Sequence, residues 1–259
     1  MKDVQQEPAE HEIAIDEVGI SKVKLPIQVE QPDGGYQSTI ATIEIGTELM
    51  STQKGVHMSR FIEVLLENLE DGVVTIDVVE EVLGFAIAEQ EMDSGKLRIE
   101  FPYFVPVVSP ASKKRSLLPI TVAFEVKDFK RYLEVSMYVT SLCPCSKEIS
   151  KYGAHNQRGD ITVRIEVKET KESEEEGFIW IEEIVDLIQN CGSCEIFPLL
   201  KRIDEKVVTE KAYENPMFVE DIVRKIAVEL EEWDIEHYMV RVENQESIHD
   251  HNAYAVIER

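Results

Sequence analysis

Between Cys143 and Glu210 the chain concentrates residue types that bind metals and move protons. Ser141-Leu-Cys-Pro-Cys-Ser-Lys147 is followed by Gly153-Ala-His-Asn-Gln-Arg-Gly159, which puts Cys143, Cys145 and His155 in one short stretch. A thiolate, an imidazole and a carboxylate, with a fourth position left to water, describe a catalytic zinc-type site. Glu195 is the carboxylate candidate, because an acid beside the apolar run Ile-Phe-Pro-Leu-Leu is unusual unless it has a task. The cysteines also allow other chemistry. Cys143, Cys145, Cys191 and Cys194 could close a structural four-thiolate zinc site. Cys191-Gly-Ser-Cys194 imitates a thioredoxin-type motif, but it follows a helical pattern instead of a strand. The plainest reading of this second pair is two buried apolar cysteines.

Two further clusters carry reactive types. In Glu246-Ser-Ile-His-Asp-His251, His249 and His251 share a face if the segment is extended. They could bind metal, serve as acid and base, or sit in a polar loop. Lys54-Gly-Val-His-Met-Ser-Arg60 precedes a helical pattern, and a Ser-Arg pair at a helix start can meet phosphate oxygens. His57 could equally cap or pack. Basic residues are scarce, so Lys113-Lys114-Arg115 stands out as a compact patch; Lys147, Arg158, Lys201 and Arg202 lie near the metal-capable segments. Each alone is most simply a surface charge.

The elements that must position these residues follow from hydrophobic periodicity. Strand-like runs at Lys22 to Val29 and Gln37 to Ile45 precede two helical patterns, one carrying Phe61, Ile62, Leu65, Leu66 and Leu69, the other Ile76, Val79, Leu83 and Ala86. Strands return at Leu97 to Val108 and Leu118 to Val126. Alternation resumes through Leu133, Val135, Met137 and Val139 and through Ile161, Val163 and Ile165, as in half-buried antiparallel strands. A helix around Ile181, Ile184 and Ile188 follows. Another is expected to start with Asn215 as cap and Pro216 in the first helical position, before strands at His237 to Glu243 and Asn252 to Ile257. The expected order is an α+β arrangement of ββααββ written twice, with paired helices on antiparallel sheets. Residues 1–17 read as a flexible arm, 18–127 as a first module, and 128–259 as a second module carrying most of the metal and catalytic residues. The acidic run Lys171 to Glu176 reads as a solvated loop. Open strand edges in each half imply a homo-oligomer.

Composition sets outer bounds. With 259 residues, 43% hydrophobic and 30% charged, the chain has the make-up of a globular protein with a sizeable core. Its 27 basic and 51 acidic residues give a net charge of −24, which repels nucleic acid and anionic membranes; a polyanionic substrate needs a local basic pocket. Met1 to Glu12 has the character of neither a signal nor a transit peptide, so a cytoplasmic setting is expected. Cysteines clustered in such a chain favour metal or catalytic chemistry over disulfides.

Taken together, Ser-Leu-Cys-Pro-Cys-Ser-Lys, Gly-Ala-His-Asn-Gln-Arg-Gly, Cys-Glu-Ile-Phe-Pro-Leu-Leu-Lys-Arg, Thr-Glu-Lys-Ala-Tyr-Glu-Asn-Pro, Lys-Gly-Val-His-Met-Ser-Arg-Phe and His-Asp-His resemble the signatures of the GTP cyclohydrolase IB family. The resemblance runs from about Val18 to Ala255. It implies the tunnelling fold, used twice per chain and assembled through sheet edges into a homotetramer with active sites between subunits. It implies GTP as substrate, dihydroneopterin triphosphate and formate as products, and one divalent metal per site: zinc, manganese or iron(II). Carried over by position, Cys143, His155 and Glu195 would be metal ligands, Glu195 directly or through water. Cys145, His249 and His251 would take part in catalysis, and Glu210 would anchor the purine. Lys113, Lys114, Arg115, His57 and Arg60 are candidates for the triphosphate. Rival readings are an archaeal-type cyclohydrolase forming a cyclic phosphate, a pterin enzyme related to pyruvoyl-tetrahydropterin synthase, and a zinc-stabilised binding module. The Cys-Pro-Cys motif argues against the second of these, whose relatives hold zinc with histidines alone.

Overall fold

The computed structural model describes residues 5, 7–70, 72–168 and 179–259. The acidic run 171–176 and part of the expected N-terminal arm (1–4 and 6) lie outside them. Within the arm, Pro8 bridges Gln53 and Glu7 pairs with Lys54 at 3.2 Å.

The chain forms β1 (Ile15–Glu30), β2 (Tyr36–Leu49), α1 (Met58–Leu69), α2 (Ile76–Gln90), β3 (Gly95–Val108), β4 (Arg115–Lys127) and β5 (Lys130–Leu142). There follow α3 (Pro144–Ile149), β6 (Asn156–Glu166), α4 (Ile181–Cys191), α5 (Arg202–Glu214), α6 (Val219–Glu232), β7 (Tyr238–Asn244) and β8 (Ala253–Glu258). Among the described residues the eight strands belong to one sheet whose order is that of the sequence. Antiparallel ladders join β1 to β2, β2 to β3, β6 to β7 and β7 to β8.

This corrects the expected tunnelling-type layout of two tandem ββααββ modules with paired helices. The later half runs β-α-β-α-α-α-β-β, with a short helix between its first two strands and three helices before its last two. The supposed boundary at Lys127 to Lys130 is a two-residue turn, Asp128 and Phe129, both left-handed as a tight hairpin requires.

Two compact units can be distinguished, residues 1–102 with 123–133, and 103–122 with 134–259. In the first, α1 packs on α2 and β1, burying Phe61, Leu65 and Leu69; α2 rests on β2 through Val79, Leu83 and Ala86. The 3.6-residue period of these side chains is what makes them helical faces. In the second unit α6 packs on β7, β8 and α4, burying Ile222, Ile226 and Leu230 with Ile184, Ile188, Val240 and Val242.

Helices α4, α5 and α6 start on one local device. The acid in their first turn accepts the backbone N–H of the residue before the helix: Glu183 from Trp180 (2.8 Å), Asp204 from Lys201 (2.8 Å) and Asp221 from Phe218 (3.0 Å). The start expected at Asn215-Pro216 is therefore corrected. Asn215 closes α5, donating its N–H to Lys211 and Ala212, and α6 begins at Val219 where Asp221 supplies the cap. No helix among the described residues is long and apolar enough to cross a membrane.

Candidate functional site

The end of β5 delivers Leu142 and then Cys143, which occupies the cap position of α3 with Pro144 in the first turn. Ser146 fastens this corner. Its N–H points to the Cys143 sulfur (3.4 Å), its hydroxyl donates to the Cys143 carbonyl (3.2 Å), and the same oxygen accepts the N–H of His155 (3.3 Å). Cys143 N–H in turn donates to the His155 carbonyl at 3.1 Å. The long connection expected between the two strands is thus folded back, so that the thiol and imidazole residues are neighbours.

Glu195 reaches the same strand end by a different route. Thr140 and Cys194 form an isolated antiparallel bridge, and the Ser193 hydroxyl accepts Leu142 N–H at 3.1 Å. Beneath the site Leu142, Cys194 and Ala212 form a small buried cluster, with Ala154 and Val208 against it. Each of four members is the chain neighbour of a polar candidate: Leu142 of Cys143, Ala154 of His155, Cys194 of Glu195, Ala212 of Lys211. Apolar packing of the first residue in each pair gathers the second.

The Glu195 carboxylate is half-buried and both its oxygens meet Lys211 Nζ, at 2.6 and 2.7 Å. Burial pushes its pKa up, but the Lys211 ammonium outweighs this and holds the carboxyl below its ordinary range. Cys194 donates its thiol to Glu195 at 3.4 Å; burial, then the adjacent carboxylate, push that thiol up to about 12. Burial raises Cys191 to about 11. Both cysteines are 1% exposed whereas Cys145 is exposed, so the four sulfurs do not share one environment. A cavity of about 340 Å³ opens beside Glu195 and Lys211, walled by Pro106, Pro110, Phe197 and Val207.

The remaining candidates are placed as follows. His249 and His251 are exposed on the β7–β8 loop, with rings stacked at 4.9 Å and 20°. Glu210 is exposed on α5, next in sequence to Lys211, and pairs with Lys206 at 3.8 Å. Lys113, Lys114 and Arg115 are exposed on the β3–β4 turn. That turn is held by fully buried Asp204, which accepts the N–H groups of Ala111 (2.8 Å) and Ser112 (2.7 Å) and the Ser112 hydroxyl (2.6 Å). These bonds hold the Asp204 carboxyl far below its ordinary value in spite of burial, which pushes the other way. In the other unit, the backbone of His57 at the start of α1 exchanges two hydrogen bonds with the Gln90 amide, and Arg60 donates to the Glu89 carbonyl.

Among the described residues no three His, Cys, Asp or Glu side chains stand together as a formed metal cluster. The donor chemistry of Cys143, His155 and Glu195 nevertheless fits a divalent ion. The sulfur already accepts an N–H, and the carboxylate already binds a cation. The imidazole has Nδ1 engaged by Gln157 at 2.8 Å, so Nε2 is the nitrogen that could ligate an ion. Sequence reasoning missed Ser146, Gln157, Lys211 and Glu246 in this network. Gln157 carried a usable signal, since its spacing of two from His155 at a strand start sets both on one face. Ser146, Lys211 and Glu246 stood inside the motifs quoted above, but nothing in their spacing assigned them a partner.

Residues 1–255 match the family model described as Type I GTP cyclohydrolase folE2. The chain is 46% identical to GTP cyclohydrolase FolE2 of Nitrosococcus oceani, over 100% of this chain and 95% of the relative. It is 45% identical to that of Geobacter sulfurreducens, covering 100% and 98%. Among solved structures it resembles a uricase from Bacillus fastidious (TM-score 0.59, 9% identity, 94% of this chain and 92% of that one). It also resembles urate oxidase from Bacillus sp. TB-90 (TM-score 0.54, 10% identity, 95% and 99%). These likenesses establish a uricase-like fold. The sequence matches establish the family: the chain belongs to the type I GTP cyclohydrolases of the folE2 family.

Proposed function

We propose that the chain is a metal-dependent GTP cyclohydrolase of the IB type, converting GTP and water to 7,8-dihydroneopterin triphosphate and formate in the first step of folate-type pterin synthesis. In reaction terms it is a hydrolase of cyclic amidine C–N bonds. The observation that carries this reading is the convergence of the Cys143, His155 and Glu195 segments at one strand end over a shared apolar cluster.

Cys143, His155 and Glu195 would hold one divalent ion; zinc, manganese and iron(II) all suit this mixed donor set. When bound, the metal supplies a water acidified from about 15.7 towards about 7, the nucleophile for guanine C8. Lys211 must release the Glu195 carboxylate for it to serve as a ligand. Cys145, His249 and His251 are the groups to move protons as the imidazole ring opens, their exposure leaving them accessible to substrate. A second hydration releases C8 as formate, and ribose rearrangement with ring closure forms the pterin. Glu210 suits guanine because its two oxygens can accept from N1–H and the exocyclic amine together, a pair adenine lacks. Lys113, Lys114 and Arg115 are the first candidates for the triphosphate, with Arg60 and His57 as further ones.

The exposure of Cys145, Glu210, His249 and His251 supports an active site completed by another copy, in a homotetramer. A cytoplasmic setting belongs to the same reading. Product analysis tests it: GTP should yield formate and a linear dihydropterin triphosphate by mass, one formate per pterin. A cyclic phosphate would assign the archaeal-type reaction, and no turnover with any of the three metals would remove the enzyme reading.

A further inference from the structure

We infer that Glu246 is a positioning residue that sets the tautomer of His155, acting through Gln157. The register puts the three together. Gly159 lies opposite Asn244 in the β6–β7 ladder, and Gln245 N–H continues it to the Arg158 carbonyl at 2.9 Å. Two residues further along each chain, Gln157 faces Glu246. There Gln157 Nε2 donates to Glu246 Oε1 (3.3 Å), and Gln157 Oε1 meets His155 Nδ1 (2.8 Å). Gln157 is 8% exposed, and the side chains of His155 and Glu246 are 13% and 14% exposed, so water competes little.

Hydrogen-bond logic does the rest. A carboxylate only accepts, so Glu246 must face the amide nitrogen of Gln157 and not its oxygen. The amide oxygen is thereby aimed at His155, where only an N–H can meet it. The proton is placed on Nδ1, and the lone pair is left on Nε2. The second Glu246 oxygen, 3.8 Å from Nδ1, favours the same placement. If the amide were reversed, its NH₂ would demand the Nδ1 lone pair, and the proton would move to Nε2 and block it. The Glu246 carbonyl also accepts His249 N–H at 3.3 Å, so the loop carrying His249 and His251 is tied at the same residue.

The consequence for metal binding rests on the proposed role of His155, and the experiment separates the two claims. Metal-stripped protein labelled with ¹⁵N-histidine is studied by long-range ¹H–¹⁵N correlation with neutral imidazoles, for wild type, Glu246→Gln and Glu246→Ala. Wild type should show His155 as the single Nδ1–H form. Both variants should show a mixture, because the amide introduced by Glu246→Gln can itself donate to the Gln157 oxygen, and the methyl left by Glu246→Ala accepts nothing. Chelator competition should then give a 10- to 100-fold weaker metal dissociation constant in the variants. A merely structural Glu246 would lower the melting temperature and leave the ring nitrogens unmoved. An unchanged single Nδ1–H form in both variants overturns the inference. If Cys143→Ala and His155→Ala bind metal as wild type does, the metal-site reading fails instead, and the tautomer measurement still judges Glu246.

Discussion

Thr140 and Cys194 face each other across a two-way backbone bridge, Thr140 N–H donating to the Cys194 carbonyl at 2.8 Å and Cys194 N–H returning to the Thr140 carbonyl at 3.4 Å. Through this isolated bridge the turn after α4 is fastened to the end of β5. Glu195, the next residue, then leaves from the same place as Cys143. What holds the turn so close is the absence of a side chain at Gly192: a Cβ there would lie 2.6 Å from that of Val139.

Gly192→Ala should therefore push the turn off β5. The expected cost is about 1–3 kcal/mol, as for other overpacked sites, read from urea unfolding. Metal occupancy should fall with it, because Glu195 moves. Unchanged stability would mean that Val139 yields easily and that the bridge is not tightly held.

Lys211→Met should make the acid side of the stability profile flatter. Glu195 titrates below its ordinary 4.5 in the folded chain, so the pair contributes stability above that pH and loses it as pH falls through the lower folded value. In the variant the lowering by Lys211 is lost and the carboxyl moves up towards its ordinary value, with burial opposed only by the remaining backbone N–H and Cys194 thiol hydrogen bonds. With Lys211 45% exposed, the difference between variant and wild type should be about 1 kcal/mol or less near neutral pH. It should vanish once Glu195 is protonated in both. Denaturant midpoints of metal-stripped protein across this range check it.

The four cysteines should separate by reactivity. Near neutral pH a thiol reagent should modify exposed Cys145 first, whereas Cys191 and Cys194, buried and raised to about 11 and 12, should react only on unfolding. The double variant Cys191→Ala with Cys194→Ala should keep its metal while losing about 1–3 kcal/mol of stability. Loss of metal from a folded double variant would instead point to a four-thiolate site.

Replacing Lys113, Lys114 and Arg115 together by Ala should raise KM for GTP about tenfold with kcat little changed, as removal of uniform binding does. Asp204→Ala should do part of the same at a distance, since it frees the turn that carries them. Steady-state kinetics with GTP separates the two parameters.

Much of this arrangement was legible from residue order. Period-two and period-3.6 patterns located most strands and the helices α1, α2, α4 and α6, because each buries one continuous face. The helix α5 escaped because only Asp204 and Ala212 along it are buried, so it has no apolar stripe to detect. The short α3 escaped because Cys-Pro-Cys looks like a turn, and Ser146 turns it into a helix start. The symmetry of two equal modules was wrong for the same reason: two unseen helices lie in the later half. At the site, Cys143, His155 and Glu195 were visible as residue types with unusual neighbours. Gln157 was legible only through its spacing from His155, and Lys211 and Glu246 were not, since their contacts exist only once Thr140 meets Cys194 and β6 pairs with β7.

The proposed metal site at Cys143 and His155 is what this chain would use to open GTP. Its most direct test is metal stoichiometry and formate release together, on stripped protein resupplied with Zn²⁺, Mn²⁺ or Fe²⁺, for wild type, Cys143→Ala and His155→Ala with folding verified by circular dichroism. Wild type should bind one metal per chain and release formate, and each variant should lose both. Folded variants that still bind one metal per chain and still release formate would contradict it.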